Sequence, residues 1–439
     1  MLSFSLRKGF DYVLFIGMIL TVFLGILIIY SATQGSAGNV LWYKQALWFG
    51  IGLLGLMSTV LFDYQLLGKY SRIIYILVIF LLVFVLFGGP LIRSARSWLV
   101  IGPFSFQPSE FAKLATIIIV AEYLSTKREG LTTISEFIYP TTLVAIPVLL
   151  ILMQPDLGTT LVFLPVIIVM LYITGAKQVY LITLTSIGIL TLILTLFLSW
   201  GDVHAIHNTN VLYFLHKWIS SIQYAAISLV CLLGFIVGAY YILKLFRKNI
   251  PFTVFGLIFV IIAVSLTVSL VADGFLKDYQ RKRLVVFIDP GIDPLNAGYN
   301  INQSKIAVGS GKLVGKGLFH GTQSQLGFLP ERQSDFIFSV IGEELGFVGA
   351  GILLFLFLII IYRGISIAFS SRDTFGCLLA SGIVTMLAVQ VFLNVGISLG
   401  IMPVTGLTLP LVSYGGSSLF ITMVSVGILL NIRLRRYLL

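Results

Sequence analysis

The chain has 439 residues, of which 58% are hydrophobic and only 10% charged, with a mean hydropathy of +1.05 and a formal net charge of +11. A soluble protein of this length could not cover so much apolar surface, and runs of roughly 20 apolar residues recur from end to end, as membrane-spanning helices require. Its two cysteines, Cys231 and Cys377, lie within apolar runs and read as small buried hydrophobes, and its four histidines show no zinc-ligand spacing.

Taken in chain order, the apolar runs give about twelve spans, an all-α polytopic integral membrane protein with no separate soluble domain. Their cores are 12–32, 43–62, 72–89, 109–125, 138–153, 158–175, 178–200, 222–245, 251–272, 335–362, 375–399 and 410–432. The segment before Tyr12 lacks the pattern of a cleavable signal, so the first run is expected to remain as a span. Positive charge then sets the orientation. Arg7 and Lys8, Lys69 and Arg72, Lys127 and Arg128, Lys177, Lys244 with Arg247 and Lys248, Arg363 and Arg372, and the closing Arg433, Arg435 and Arg436 all fall on one face. That face is expected to be cytoplasmic, with both termini inside. Most of the net positive charge is this inside bias, and no nucleic-acid partner is needed to explain it.

The polar stretches of the opposite face hold the chemistry. The first, "GGPLIRSARSWLVIGPFSFQPSEFAK", carries Arg93 and Arg96, and places Trp98, Phe104 and Phe106 as headgroup-level aromatics. Pro103 and Pro108 stop a helix there, and Ser109 is the expected N-cap of the next. Glu110 and Lys113 follow at i, i+3 on one helix face, either as a local ion pair or as groups facing an outward cavity. In "MQPDLGTTLVF", Asp156 is expected to cap the following helix.

The longest polar stretch, 273–334, is placed outside, where Lys and Arg should be sparse, yet it holds Lys277, Arg281, Lys282, Arg283, Lys305, Lys312, Lys316 and Arg332. A loop of this length is either functional or disordered, and its mixed composition reads as ordered. A basic external loop beside a bilayer suits an anionic ligand such as a lipid phosphate or diphosphate. "FLPERQSDFIFSVIGEELG" then brings Glu331, Arg332 and Asp335 to the start of a span and sets Glu343 and Glu344 roughly 12–13 Å further along its axis. Acids at that depth face the bundle interior, so at least one is expected to be structural and paired with a base. By position alone, Asp335 could equally be a helix cap. Finally, "GIMPVTGLTLPLVSYGGSSL" breaks the helix at Pro403, Gly406, Pro410, Gly415 and Gly416, which is tolerated at membrane depth only against protein or a watery cavity.

These motifs together resemble the SEDS family, the shape, elongation, division and sporulation proteins. The resemblance rests on "RSWLVIGPFSFQPSEFAKLA", "QPDLGTTLVF", "YQRKRLVVFIDPGIDPLNAGYNINQSKIAVGSGKLVGKG", "GTQSQLGFLPERQSDFIFSVIGEELGFVG" and "MPVTGLTLPLVSYGGSSL", and covers the chain apart from one interval. "GTQSQLGFLPER" and "DPLNAGYNINQSKIAVGSG" are similar to the elongation branch; the division branch tends to carry another residue where Arg332 stands. The resemblance implies a peptidoglycan glycosyltransferase of the bacterial cytoplasmic membrane. Such an enzyme polymerises lipid II, a disaccharide-pentapeptide on undecaprenyl diphosphate, at the outer face, beside a class B penicillin-binding protein that crosslinks the product. It implies Asp335 as the catalytic residue, through "SDFIF". Arg93, Arg96, Trp98, Glu110, Lys113, Arg281, Arg283, Lys305, Arg332 and Ser413 are the candidate substrate-binding residues. No metal-ligand cluster is visible, although a divalent cation such as Mg2+ bridging diphosphate oxygens is compatible chemistry.

Two departures from the family stand out. Gln333 and Ser334 occupy the positions where members usually have His-Thr, so any proton movement through that His is absent here. Members commonly have about ten spans, and the interval from Trp200 to Asn249 is expected to add a helical pair. A lipid II flippase is the rival of another class, since deep charges and broken helices also suit a transport path. A scaffold that only binds the penicillin-binding protein is the third. The concentration of charge and motifs on the outer face favours the polymerase over both.

Overall fold

The computed structural model describes residues 9–34, 40–90, 96–102, 104–127, 130–131, 133–204, 211–245, 251–294 and 297–436. Arg93 and Pro103 lie outside the described residues, as do Arg7, Lys8, Arg128, Arg247 and Lys248 from the orientation argument.

Every expected span coincides with a helix. In chain order these are α1 (Tyr12–Thr33), α2 (Leu41–Leu61), the short α3 (Gln65–Lys69), α4 (Ser71–Gly88), α5 (Pro108–Ser125), α6 (Ile134–Met153) and α7 (Leu157–Ile173). Then come α8 (Gln178–His204), α9 (Val211–Ser220), α10 (Ile222–Leu245), α11 (Phe252–Phe275), α12 (Asp278–Ile288), α13 (Ala297–Ser310) and α14 (Thr322–Gln325). The chain closes with α15 (Ile337–Phe369), α16 (Thr374–Ser398) and α17 (Gly416–Arg435). Among the described residues, ten helices are long and apolar enough to cross a membrane. The two expected spans outside that set coincide with α5, which carries Glu110, Lys113 and Glu122, and with α7, which has 17 residues. The protein is therefore an all-α, multi-pass membrane protein, with side chains such as Leu54, Phe80 and Phe355 turned outward as lipid-facing residues are. Among the described residues the one small sheet pairs β1 (Leu99–Ile101) with β2 (Phe104–Phe106), antiparallel with Leu99 opposite Phe106.

The described residues of the polar stretch 273–334 are largely helical. It holds α12, a 3-10 turn at Pro290–Ile292, α13 and α14. It also divides between two compact units. One comprises Met1–Ala176 with Leu295–Leu439, the other Lys177–Pro294.

In the first unit the centre is α16 and α17, whose apolar windows are 72% and 83% buried against 22% for α2 and 28% for α4. α17 packs along α2, and α15 packs against both α1 and α16. Polar anchors fix one end of this bundle. Asp11 caps α1 through the Leu14 N–H at 3.1 Å and is 2% exposed. Arg363 of α15 meets the same carboxylate with Nη2 at 2.6 Å and Nε at 3.0 Å, and Arg433 of α17 lies 3.4 Å away. Asn431 donates to the Thr59 and Val60 carbonyls, closing the same end of α17 onto α2. These ties gather arginines that the charge pattern assigns to a single face.

In the second unit, α8 packs against α11 and α12, and α9 against α8 and α10. Asp202 near the end of α8 holds Arg281 of α12 at 2.7 Å, and Asp273 holds the same guanidinium at 3.1 Å.

Candidate functional site

The site is built around the turn that leads into α15. Glu331 takes a left-handed backbone conformation, φ 53°. Its carbonyl thereby accepts from the N–H groups of Ser334 at 3.1 Å and Asp335 at 3.2 Å. This tight turn leaves Asp335 half-buried. The N-cap position of α15 is Phe336, with no side-chain cap, so Asp335 stands one residue ahead of the cap position it could have filled.

Three successive carbonyls on this turn accept hydrogen bonds from distant elements. Gln333 receives the Tyr414 N–H at 2.8 Å, Ser334 the Ser413 hydroxyl at 2.6 Å, and Asp335 the Asn394 amide at 3.0 Å. Ser413 is itself locked, since its oxygen accepts the Leu409 N–H at 2.8 Å. Gln45 of α2 completes the frame, donating to the Ser413 carbonyl at 3.0 Å and accepting from the Gly415 N–H at 3.2 Å. The proline- and glycine-broken segment after α16 is thus satisfied by protein on its buried side, the condition for irregular backbone in a membrane protein. Gly25 of α1 makes that approach possible, because a Cβ there would sit 2.7 Å from the Val412 Cα.

Arg332 is half-buried, and its Nη1 donates to the Ser324 carbonyl. Burial lowers its guanidinium pKa from the usual value, and the Glu344 carboxylate opposes that shift. Glu343 and Glu344 are fully buried. Glu343 accepts from Lys316 at 2.8 Å and from the N–H groups of Gln323 and Ser324 at 2.9 and 3.0 Å, while Glu344 accepts from the Ser31 hydroxyl at 2.6 Å. The expected structural acid with a basic partner is present, and its base comes from the polar stretch between α13 and α14. α15 breaks just beyond, at Gly346 with φ 66° and ψ −163°. There the Glu343 and Glu344 carbonyls turn to the N–H groups of Lys316 and Gly317.

Other candidates stand as follows. Glu110 and Lys113 form a 2.8 Å ion pair, 4% and 2% exposed, and Lys113 lines a small apolar pocket with Thr116, Ile117, Val120 and Phe163. Pro108, not Ser109, opens α5. Proline lacks the N–H that a first helical residue leaves unpaired, so Gln107 is the N-cap. The Ser109 hydroxyl goes instead to Asp156 at 3.0 Å, joined there by the Gln107 amide at 2.9 Å. Asp156 does cap α7, through the Thr159 N–H at 3.1 Å. Arg96 is exposed and donates to the Phe87 carbonyl at 3.2 Å, and Trp98 is half-buried just ahead of β1. Lys305 is exposed on α13, beside buried Ser304, which bonds the Ser339 hydroxyl and the Ser398 carbonyl at 2.6 Å each. In the second unit, Arg281 is engaged by Asp202 and Asp273, and Arg283 lies 5.7 Å over the Tyr279 ring.

The structure therefore brings Asp335, Arg332 and Ser413 into one framework, and adds Gln45 and Asn394, which sequence reasoning missed. Their signal was available: each is an amide set within a largely apolar run, near one end of its span. Among the described residues, no group of three or more His, Cys, Asp or Glu is placed to hold a metal ion.

Comparison with known proteins shows the family. The model of the FtsW, RodA and SpoVE cell cycle proteins matches residues 11–223 and 233–438. A relative from Treponema pallidum (strain Nichols), named peptidoglycan glycosyltransferase RodA, is 35% identical over 436 residues, covering 98% of each chain. A crystal structure of the rod shape determining protein RodA of Thermus thermophilus aligns with a TM-score of 0.61 at 26% identity, over 98% of both chains. A chain from a peptidoglycan synthase complex that coordinates polymerization and crosslinking aligns with a TM-score of 0.66 at 28% identity, over 98% of this chain and 99% of that one. With nearly its whole length matched by the family model and by relatives of equal extent, the chain belongs to the FtsW/RodA/SpoVE family of cell cycle proteins.

Proposed function

We propose that this chain is a RodA-like peptidoglycan glycosyltransferase. It polymerises lipid II into glycan strands at the outer face of the bacterial cytoplasmic membrane, during wall elongation. Both termini are cytoplasmic, and a class B penicillin-binding protein crosslinks the product. The relatives bearing that activity in their names support the reaction class. The observation that carries the site is the carboxylate residue Asp335, half-buried on a turn whose backbone is held at three successive carbonyls.

The chemistry asks little more of the protein than position and a proton acceptor. A sugar hydroxyl attacks the anomeric carbon of a second sugar while the lipid diphosphate leaves. Asp335 takes the hydroxyl proton as the new bond forms, a contribution worth roughly 10²–10⁴-fold. Lys305 and Arg332, both in the first unit, supply cations for anionic diphosphate oxygens. Glu110 and Lys113 neutralise each other as a buried pair and shape the interior of α5. Arg281, committed to two carboxylates, fixes α12 within its unit. A divalent cation riding on the diphosphate would neutralise departing charge.

The test is polymerisation of lipid II by the purified full-length chain, with and without the crosslinking partner. Asp335→Asn keeps the side chain's size and should leave insertion and partner binding intact. Its polymerisation rate should fall by about two orders of magnitude or more. Full activity in Asp335→Asn would remove the general-base role. Lipid II translocation by wild-type protein, with no glycan formed in any condition, would establish a flippase instead.

A further inference from the structure

We propose that Asn394 is a positioning residue for this reaction, holding the Asp335 carboxylate in register with the broken segment that follows α16. The inference rests on the general-base reading of Asp335 given above.

Asn394 lies near the C-terminal end of α16, with no exposure at all. Its amide nitrogen has two protons, and each has a carbonyl to meet. One is that of Asp335 at 3.0 Å, the other that of Leu407 at 2.7 Å. The two acceptors belong to segments 72 residues apart in sequence, so one planar amide fixes the distance between them. An asparagine suits this task because its amide presents two donors in a rigid fork on a short stem. Leucine has the same branched four-atom side chain, bulkier by its two methyl groups, and offers neither donor.

The neighbouring contacts make the arrangement directional. Ser413 and Tyr414 hold the carbonyls of Ser334 and Gln333, so Asn394 is the last of three consecutive ties, and the one on the residue that carries the carboxylate. Its segment is anchored from the far side by Gln45. The Glu331 turn fixes the N–H side of Ser334 and Asp335, and Asn394 fixes the carbonyl side of Asp335. Both peptide groups flanking the Asp335 Cα are thereby held. Losing the Asn394 tie leaves the peptide between Asp335 and Phe336 held only by the long Phe336 N–H contact to the Glu331 carbonyl at 3.5 Å, and so loosens the direction in which the carboxylate points. A misplacement of about 1 Å at a reacting group can cost about 10²-fold in rate.

The decisive experiment is a double-mutant cycle on the full-length protein with lipid II, comparing wild type, Asn394→Leu, Asp335→Asn and the double variant. Asn394→Leu should lower kcat by about tenfold to about 10²-fold, with the KM for lipid II essentially unchanged. In the Asp335→Asn background the same substitution should leave the residual rate where it was, because no base remains to be aimed. An equal proportional loss in both backgrounds, or a loss confined to KM, would overturn the positioning role and leave Asn394 a packing residue. If Asn394→Leu does not insert stably, Asn394→Ala removes both donors without added bulk and gives the same comparison with the same two outcomes. The reading on which this rests fails differently. Full activity of Asp335→Asn alone would remove both the general base and its aim, whereas proportional losses on top of an inactive Asp335→Asn would remove only the aim.

Discussion

Lys316 Nζ lies 2.8 Å from Glu343 Oε1, and the acid it pairs with is entirely buried while the lysine reaches outward, 27% exposed. The pair sews the polar stretch after α13 onto the break in α15. The Thr322 hydroxyl and the N–H groups of Gln323 and Ser324 fill the remaining acceptor sites of the same carboxylate. The loop beside the Asp335 turn is therefore built around an acid, and the acid is needed for the loop to hold its shape.

Removing that acid should be costly in proportion to the donors it abandons. Glu343→Leu leaves Lys316 with only the Thr322 hydroxyl and strips the N–H groups of Gln323 and Ser324 of their carboxylate acceptor, a change expected to cost about 3–5 kcal/mol. Glu343→Gln keeps one carbonyl oxygen and should cost less, about 1–3 kcal/mol. Thermal unfolding in detergent measures the order. Equal midpoints for wild type and Glu343→Leu would show that the cluster contributes nothing to stability.

The break at Gly346 makes a second, sharper test. Its φ of 66° with ψ −163° is a backbone state essentially reserved for glycine, and a Cβ there would press on the Gly315 backbone. Gly346→Ala should destabilise by about 1–3 kcal/mol or more. Gly351, five residues on in the same helix, has nothing within 4 Å of a built Cβ. Gly351→Ala should be neutral or stabilising by up to about 1 kcal/mol. Loss of stability in both variants would mean that the break at Gly346 is not specific.

Orientation is open to direct labelling. With Cys231 and Cys377 replaced by alanine, Val314→Cys and Arg372→Cys each supply one accessible thiol, at positions the fold leaves exposed. A membrane-impermeant maleimide added to intact cells should modify Val314→Cys at once, and Arg372→Cys only after permeabilisation. Labelling of both from the same side would contradict the inside assignment made from positive charge.

The spans, their order and the Asp156 cap were legible in the sequence because each depends on local information. A helix crosses a bilayer by length and composition, and a cap acts over three residues. Asp335 and its motif were visible through resemblance, and the two deep acids through their cost in an apolar run. What only the tertiary structure decided is which groups satisfy one another. The carbonyl of Asp335 meets an amide 59 residues away, Ser334 a hydroxyl 79 residues away, and Arg281 finds Asp202 at the end of another helix. The choice of Gln107 over Ser109 as the cap of α5 likewise depends on Asp156, which draws the serine hydroxyl away. Spacing along a helix says which face a side chain occupies, but a buried donor is matched to whatever acceptor the packing of distant segments delivers, and that pairing exists only once the bundle has closed.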